Sequence, residues 1–462
     1  MSQGPGADSK DDVGRSERLL RRYCHKVDWR ILLYAMVLSV LNQCDRVSIG
    51  VAKVAGLEHD LGMTKNDFNI ATTLFSVGFL AVEPFSNIVL KRVGASRLLP
   101  TLGVLWGAVC ALQSAVRTRA QFFAMRTLLG VAECGFLSGT LMLLSFFYPR
   151  SRVTARIGLF YLCTPFSSAV SGPLATGLSQ IRHRSIKRWQ WIFLLEGAAT
   201  VAVSLPGYFV LQDHPEKCRF LSAEEKEFIV EYKRREGSLG GSQQLTLREA
   251  RRVLGDWQLW VMLFAVFAGS EMVGTVVTFS PEVINKLGFT SAQAQAMSAL
   301  PAFCGFGVTL LLGAIVQRCR GHWLACSAML GAALAGSVVM VATLNVPARI
   351  VGLCIMGGGG FPALAASVGW AVTANSQSAT ATTVAAAMTG LYAIAANFVS
   401  SNVFLNADAP RFVTGHTVNI AITAAGILAC IVTRISMGRR NARAAERCQD
   451  DGDSGQPFMF AY

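Results

Sequence analysis

The chain has 462 residues, of which 52% are hydrophobic and 15% charged, with a mean hydropathy of +0.43. A soluble domain carries about 25% charged residues, so an ordinary cytosolic enzyme is excluded. The formal charge of +14 would suit a nucleic-acid binder, but the basic residues fall between apolar runs, each near the ~20 residues that cross a bilayer. They report orientation in a membrane, and no nucleic-acid partner is expected. The fold class read from this pattern is an all-α membrane protein with twelve transmembrane helices in two six-helix halves.

In chain order, residues 1–28 form a polar, basic tail ending in Arg21-Arg22-Tyr23-Cys24-His25-Lys26. It lacks the apolar core and cleavage site of a signal peptide, so the first apolar run is expected to be retained. Breaks at charged and Gly/Pro-rich punctuation place helix starts near residues 29, 67, 98, 120, 154, 190, 257, 293, 323, 348, 378 and 414. The expected organisation is an N-terminal half over 29–211, a central loop over 212–256, a C-terminal half over 257–436 and a tail over 437–462. In the central loop, Ser222 with Glu225 three positions on reads as a capping box, opening a short amphipathic helix outside the membrane.

Lys and Arg gather in the tails and even-numbered loops, which predicts both termini in the cytoplasm. Arg182, Arg184, Lys187 and Arg188, between the fifth and sixth helices, run against that rule. They read as a solvated loop, with attraction of an anionic solute as the other reading. Most of the twelve cysteines lie in or beside apolar runs without C-x-x-C spacing and read as small packing residues, with no metal or other cofactor implied.

Ionisable residues inside a spanning helix are functional hypotheses by default, because each costs roughly 2.5–3.5 kcal/mol on insertion scales. Asp45 and Arg46 lie late in the first helix, and Arg126 and Glu133 in the fourth. At 1.5 Å per residue Asp45 is about 24 Å along a helix running outward, and Arg126 about 9 Å along one running inward, so their depths overlap. Arg126 and Glu133, two turns apart, share a face. Two cations and two acids therefore converge on one cavity. They form either a self-compensating structural cluster or a device in which protonating Asp45 or Glu133 frees an arginine to bind an anion.

Other polar residues divide differently. Glu83, before Pro84, and Glu196 read as packing or gating hydrogen-bond partners. For Glu271, near the middle of the seventh helix, a second proton site and a satisfied core acid both stand open. Asn375, Asn397 and Asn402 could orient a polar solute, and Asn397 is taken as a substrate-binding candidate with Arg46 and Arg126. Gly357-Gly358-Gly359-Gly360 reads as a bend or close contact in the tenth helix, since no strand precedes it to build a phosphate cradle.

Two loop segments, Asn87-Ile88-Val89-Leu90-Lys91-Arg92-Val93-Gly94 and Gly313-Ala314-Ile315-Val316-Gln317-Arg318, occupy corresponding places in the halves. They resemble the G-x-x-x-D-R-x-G-R loop of the major facilitator superfamily, with Lys91 and Gln317 at its acidic position. Leu41-Asn42-Gln43-Cys44-Asp45-Arg46-Val47-Ser48-Ile49-Gly50 and Arg126-Thr127-Leu128-Leu129-Gly130-Val131-Ala132-Glu133-Cys134-Gly135-Phe136 resemble the anion:cation symporter family within it, closest to the fungal allantoate permease branch. Trp189-Gln190-Trp191-Ile192-Phe193-Leu194-Leu195-Glu196-Gly197 and Phe404-Leu405-Asn406-Ala407-Asp408-Ala409-Pro410-Arg411-Phe412 fit the same branch. A departure is the uncharged Ser376-Gln377-Ser378-Ala379-Thr380-Ala381-Thr382-Thr383, where the branch has a basic turn.

The resemblance implies proton-coupled transport of a small organic anion by alternating access, with Arg46 and Arg126 in carboxylate binding and Asp45 and Glu133 in proton coupling. The expectation is a monomeric plasma-membrane symporter that works with protons and a carboxylate metabolite. A proton-independent exchanger or uniporter, or a nutrient sensor on the same fold, are the alternatives. An enzyme is not expected, because no H-E-x-x-H, G-x-S-x-G or G-x-x-x-x-G-K-[ST] motif occurs.

Overall fold

A bilayer core offers no water to backbone groups, so a chain of apolar runs satisfies them internally as helices. The structure, a computed structural model, describes residues 7–64, 66–178, 181, 186–235, 247–319, 322–375, 379–404 and 408–450. Arg182, Arg184, Ser376, Gln377, Ser378, Leu405, Asn406 and Ala407 lie outside the described residues, as do the side chains of Pro84, Lys91 and Gln317.

Twelve long helical spans are present among these residues. Six make the first half: Leu33–Val54, Asp67–Val93, Ala95–Gln113, Arg119–Phe147, the pair Arg150–Tyr161 and Cys163–Leu178, and Arg188–Ser204. Six make the second: Trp257–Lys286, Ala299–Cys319, His322–Ala342, Val346–Ala374, Ala379–Val403 and Val413–Asp450. They are called spans 1 to 12 below. Ten stretches are apolar enough to cross a membrane by length and composition; spans 1 and 2, which bear Asp45, Arg46, Lys53 and Glu83, complete the set. Large apolar side chains such as Leu105, Leu311 and Leu428 are exposed on the outer surface, as a lipid-facing surface requires.

The spans pack through small residues, since helices in lipid gain by close van der Waals approach rather than by hiding from water. A Cβ on Gly78 or Gly130 would overlap a backbone oxygen of Thr127 or Phe75, so spans 2 and 4 touch almost backbone to backbone. Between spans 9 and 10, a Cβ on Gly336 would stand 2.7 Å from the Gly352 oxygen. The four-glycine run keeps span 10 helical throughout, and Gly357 and Gly359 bring backbone atoms of Pro301 and of Met329 and Ala333 into contact. Of the two roles expected there, close contact is the one observed.

Two features depart from the expected layout. The basic tail is helical over Ala7–Val27 and runs into span 1 through a single π-helical turn, Asp28–Leu32. It is held by Tyr23, whose hydroxyl donates to the Phe147 carbonyl at 2.7 Å, and by Lys26, which meets Glu225 at 2.8 Å. Span 4 breaks at Cys134-Gly135, where Gly135 takes φ +81°, a left-handed conformation that glycine adopts without strain. In the central segment, Ser222 and Glu225 form the expected reciprocal cap, with N···O distances of 2.9 and 3.2 Å, ahead of helix Ala223–Arg235.

The tail helix and the central segment mark one end of the bundle. At the far end the halves are joined. Lys53 Nζ lies 2.7 Å from Glu282 Oε2, and Asn402 donates to Thr73 Oγ1 at 2.9 Å. Of the basic loop between spans 5 and 6, Lys187 pairs with Asp60 at 2.9 Å, and Trp189 Nε1 donates to the same carboxylate at 2.9 Å. Lys187 is thus tied to the loop after span 1.

Candidate functional site

A cavity of about 160 Å³ lies between the halves. Span 1 presents Ser39, Asn42, Gln43 and Arg46 to it, and span 4 presents Arg126. The second half supplies Ser270 and Thr278 from span 7 and Asn397 and Ser401 from span 11, with apolar side chains between. This composition, mostly apolar with a few convergent polar groups, is that of a small-molecule site.

The quartet read from the sequence converges, but not as two matched ion pairs. Arg46 Nε donates to Glu133 Oε2 at 2.8 Å, and its guanidinium faces the rings of Phe75 and Phe79 at 5.4 and 5.6 Å. Arg126 is different. It is 2% exposed, and its guanidinium stands between Phe122 and Phe193 at 5.1 and 5.2 Å. Its Nε and Nη2 have no hydrogen-bond partner. Among the described residues no carboxylate lies within ion-pair distance of it, although Glu133, Asp45 and Glu196 are near enough to act on its charge.

Asp45 accepts from the Cys110 thiol at 3.3 Å through one oxygen, and its other oxygen has no partner. Glu196 accepts a short hydrogen bond from Ser48 and leaves Oε1 unpartnered. The hydrogen bond from Ser48 is of the packing or gating kind the sequence suggests for it, and Glu196 is in addition a third carboxyl near Arg126. Two arginines therefore face three carboxyls, and with all three ionised the cluster would be negative by one charge. One proton on any of the three carboxyls would balance it, since buried charges persist only when compensated.

Glu83 holds the break in span 4, accepting from the Gly135 amide at 3.1 Å and the Cys134 thiol at 3.2 Å. Asn375 donates to Ala371 O at 2.8 Å within its own helix, and Asn402 joins the halves, so Asn397 is the one of the three in the cavity wall. Glu271 lies away from that wall: it is fully buried and meets Thr275 and Asn419, between spans 7 and 12. Ser39, Asn42 and Gln43 were not singled out from the sequence. Their offsets of seven, four and three residues before Arg46 place them on its helical face, the signal that could have found them.

The sequence profile of the Major Facilitator Superfamily matches residues 35–403. This chain belongs to the major facilitator superfamily. Among curated proteins it is 32% identical over 289 residues to the MFS-type transporter efuF of Hormonema carpetanum and 30% identical over 291 residues to a putative tartrate transporter of Agrobacterium vitis. These alignments cover 62% and 63% of this chain but only 58% and 66% of those relatives. An uncharacterised transporter of Schizosaccharomyces pombe aligns over 90% of this chain and 82% of its own length at 29% identity. The proton:xylose symporter XylE, bound to 6-bromo-6-deoxy-D-glucose, shares the fold with a TM-score of 0.70 at 12% identity, over 88% of this chain and 95% of that one. The chain is a multi-pass membrane protein of a transporter family.

Proposed function

We propose that the protein is a proton-coupled symporter of a small organic anion, working by alternating access in the anion:cation symporter family, on its allantoate permease branch. The observation that carries this reading is Arg126, a buried guanidinium at the cavity whose Nε and Nη2 have no hydrogen-bond partner. A carboxylate that accepts from it gains charge-assisted hydrogen bonds in a site with little water, where they are strong. Arg46 sits on the same wall, held by Glu133. Protonating Glu133 releases Arg46 to join Arg126 on the anion, and deprotonation restores the Arg46–Glu133 pair and lets the anion go. Asp45 and Glu196 share the one balancing proton, and Asn397 orients the far end of the solute.

In this reading both termini are cytoplasmic, the far end is extracellular and the conformation is closed to the outside. The protein acts as a monomer in the plasma membrane and imports the anion.

Uptake into proteoliposomes of labelled tartrate, nicotinate, allantoate and pantothenate, with and without an inward proton gradient, tests the reading. Tartrate leads the panel because of the Agrobacterium relative. Accumulation of one anion only with the gradient is the expected result; equal equilibration of all of them, gradient or not, overturns it. A proton-independent exchanger is the second reading, favoured by the intact Arg46–Glu133 pair as a permanent brace. Glu133→Gln separates the two: symport predicts loss of proton-driven accumulation with anion exchange retained, and an exchanger predicts no change in either.

A further inference from the structure

Behind the cavity wall, spans 7 and 12 meet at three polar side chains that transport of the anion does not use. Glu271 Oε1 lies 3.1 Å from Thr275 Oγ1. Thr275 Oγ1 lies 3.2 Å from the Asn419 amide, and the other amide atom of Asn419 lies 2.7 Å from Glu271 Oε1. The three contacts close a triangle, and Glu271, Thr275 and Asn419 are each buried, at 0%, 2% and 0% exposure.

Protons decide what this triangle is. With Nδ2 of Asn419 turned toward Glu271, its second hydrogen also meets the Gly415 carbonyl at 3.0 Å, which fixes the orientation by hydrogen-bond satisfaction. If Glu271 is ionised, the triangle holds two hydrogens, one from the Asn419 amide and one from the Thr275 hydroxyl, for three contacts. One contact is then acceptor against acceptor, a buried arrangement that costs the desolvation of the orphaned group. A proton on Glu271 supplies the third hydrogen: Asn419 donates to Glu271, Glu271 to Thr275, and Thr275 to the Asn419 carbonyl. Reversing the amide does not remove the need, since a proton must then stand between Glu271 and Oδ1.

No cation competes for the carboxylate. Among the described residues Glu271 has no ion pair, and its hydrogen-bond partners are Thr275 and Asn419. His416, one turn before Asn419, packs its ring against Phe404 and answers to the charge of Arg349. Arg349 of span 10 donates to the carbonyls of Pro410 and Arg411 at 2.7 and 3.1 Å. On span 11, Tyr392 faces Trp260 and Phe267; on span 9, Cys326 meets Cys430 of span 12. On span 1, Arg46 pairs with Glu133 and Lys53 with Glu282, while Asp45 takes its hydrogen bond from Cys110.

We propose that Glu271 is a second proton-binding site, separate from the cavity, and that its proton locks span 7 to span 12 in the conformation closed at the far end. Span 7 is the lever for this. Its cavity face carries Ser270, Val273 and Gly274, its flank toward span 12 carries Glu271, and its far end carries Glu282, which joins Lys53 of the other half. Loss of the proton breaks the triangle and frees span 7 to move away from span 12, opening the far end. The inference deepens the transport reading and rests on it for the two end states.

Two measurements on the full chain in liposomes test it, and neither needs a transported solute, so failure here and failure of the uptake reading are separate results. Infrared pH-difference spectra of wild type and Glu271→Gln are compared in the region of the protonated carboxyl C=O stretch. Glutamine closes the triangle without a titrating proton: Nε2 in the place of Oε1 donates to Thr275 and, with the Asn419 amide reversed, to the Asn419 carbonyl, while the Asn419 amide donates to Thr275, so the variant mimics the locked state at every pH. Spin labels carried by unnatural amino acids at Arg117 and Leu344, one in a far-end loop of each half, report closure across the pH range. The expected result is a protonated-carboxyl component missing from Glu271→Gln, together with a closed-to-open ratio at alkaline pH about tenfold higher than wild type, the equivalent of one pK unit. Identical carboxyl spectra, or identical distance distributions at alkaline pH, overturn the proposal.

Discussion

The two halves share a six-helix plan and treat their charges in opposite ways. In the first half a cluster of charges stands at the cavity: Arg46 and Arg126 line it, and Asp45, Glu133 and Glu196 are grouped behind them. In the second half the buried ionisable residues stand away from it. Glu271 faces span 12, and Arg349 is spent on the carbonyls of the loop before that span; to the cavity this half contributes Asn397, Ser270, Ser401 and Thr278 among apolar neighbours. The difference teaches a division of labour. In the proposed symport, the first half carries the charges that bind the anion, and the second shapes the pocket and moves.

The largest test of that division is at Arg126. Arg126→Ala is expected to abolish anion uptake, by more than about 100-fold, since two charge-assisted hydrogen bonds are lost at roughly 1.5–3 kcal/mol each. Arg126→Lys keeps the charge but not the planar group that fits between Phe122 and Phe193, and retains only a small part of the uptake. Asn397→Ala in the opposite wall is expected to raise the concentration for half-maximal uptake several-fold while leaving proton dependence intact. Equal losses at the two positions would break the comparison.

A structural test follows, because both halves are closed by glycine contacts. Gly130→Ala forces spans 2 and 4 apart at the Phe75 carbonyl, and Gly357→Ala forces spans 8 and 10 apart at the Pro301 carbonyl. Each is expected to cost about 1–3 kcal/mol, as overpacking does, read as a lower unfolding temperature in detergent. Only Gly130→Ala, next to the charged cluster, is expected to change uptake beyond the loss of folded protein.

The smallest effect lies outside the membrane. Burial pushes the Glu225 carboxyl up, but hydrogen bonds from Lys26 and the Ser222 amide outweigh it and hold the group below its ordinary range. A lowered carboxyl contributes stability above its unfolded value and loses it as the pH falls through its folded value. Glu225→Gln is therefore expected to lower the unfolding temperature slightly at neutral pH and to match wild type only in acid below the folded value, which lies under the ordinary carboxyl range. A difference that persists in acid would mean that Glu225 acts by packing alone.

Much of the architecture was legible because spanning helices are read from composition. Span starts expected near 67, 120, 257, 323 and 414 fall at Asp67, Arg119, Trp257, His322 and Val413. Asp45, Arg46, Arg126 and Glu133 stood out for the same reason, as charges in apolar runs. The break in span 4 was less legible, since one glycine in a helix is common and only the Glu83 carboxylate beneath the Gly135 amide makes it a turn.

Which arginine is paired was hidden altogether. Arg46 and Arg126 are equal in sequence, and Glu133, on the same helix as Arg126, bonds instead to Arg46 of span 1. Glu196 joined the cluster because span 6 brings it beside Ser48, and Glu271 stands outside the cavity wall because Thr275 and Asn419 hold it on the flank of span 7 toward span 12.

The sequence by itself determined that the chain crosses a membrane as helices and that charges are buried at the depth of two of them. Hydropathy and helical rise depend on near neighbours along the chain. The tertiary structure decided which of those charges are paired, which face a solute and which face another helix, because a charge in a low-dielectric interior takes its meaning from the groups a few ångströms away, here on other helices.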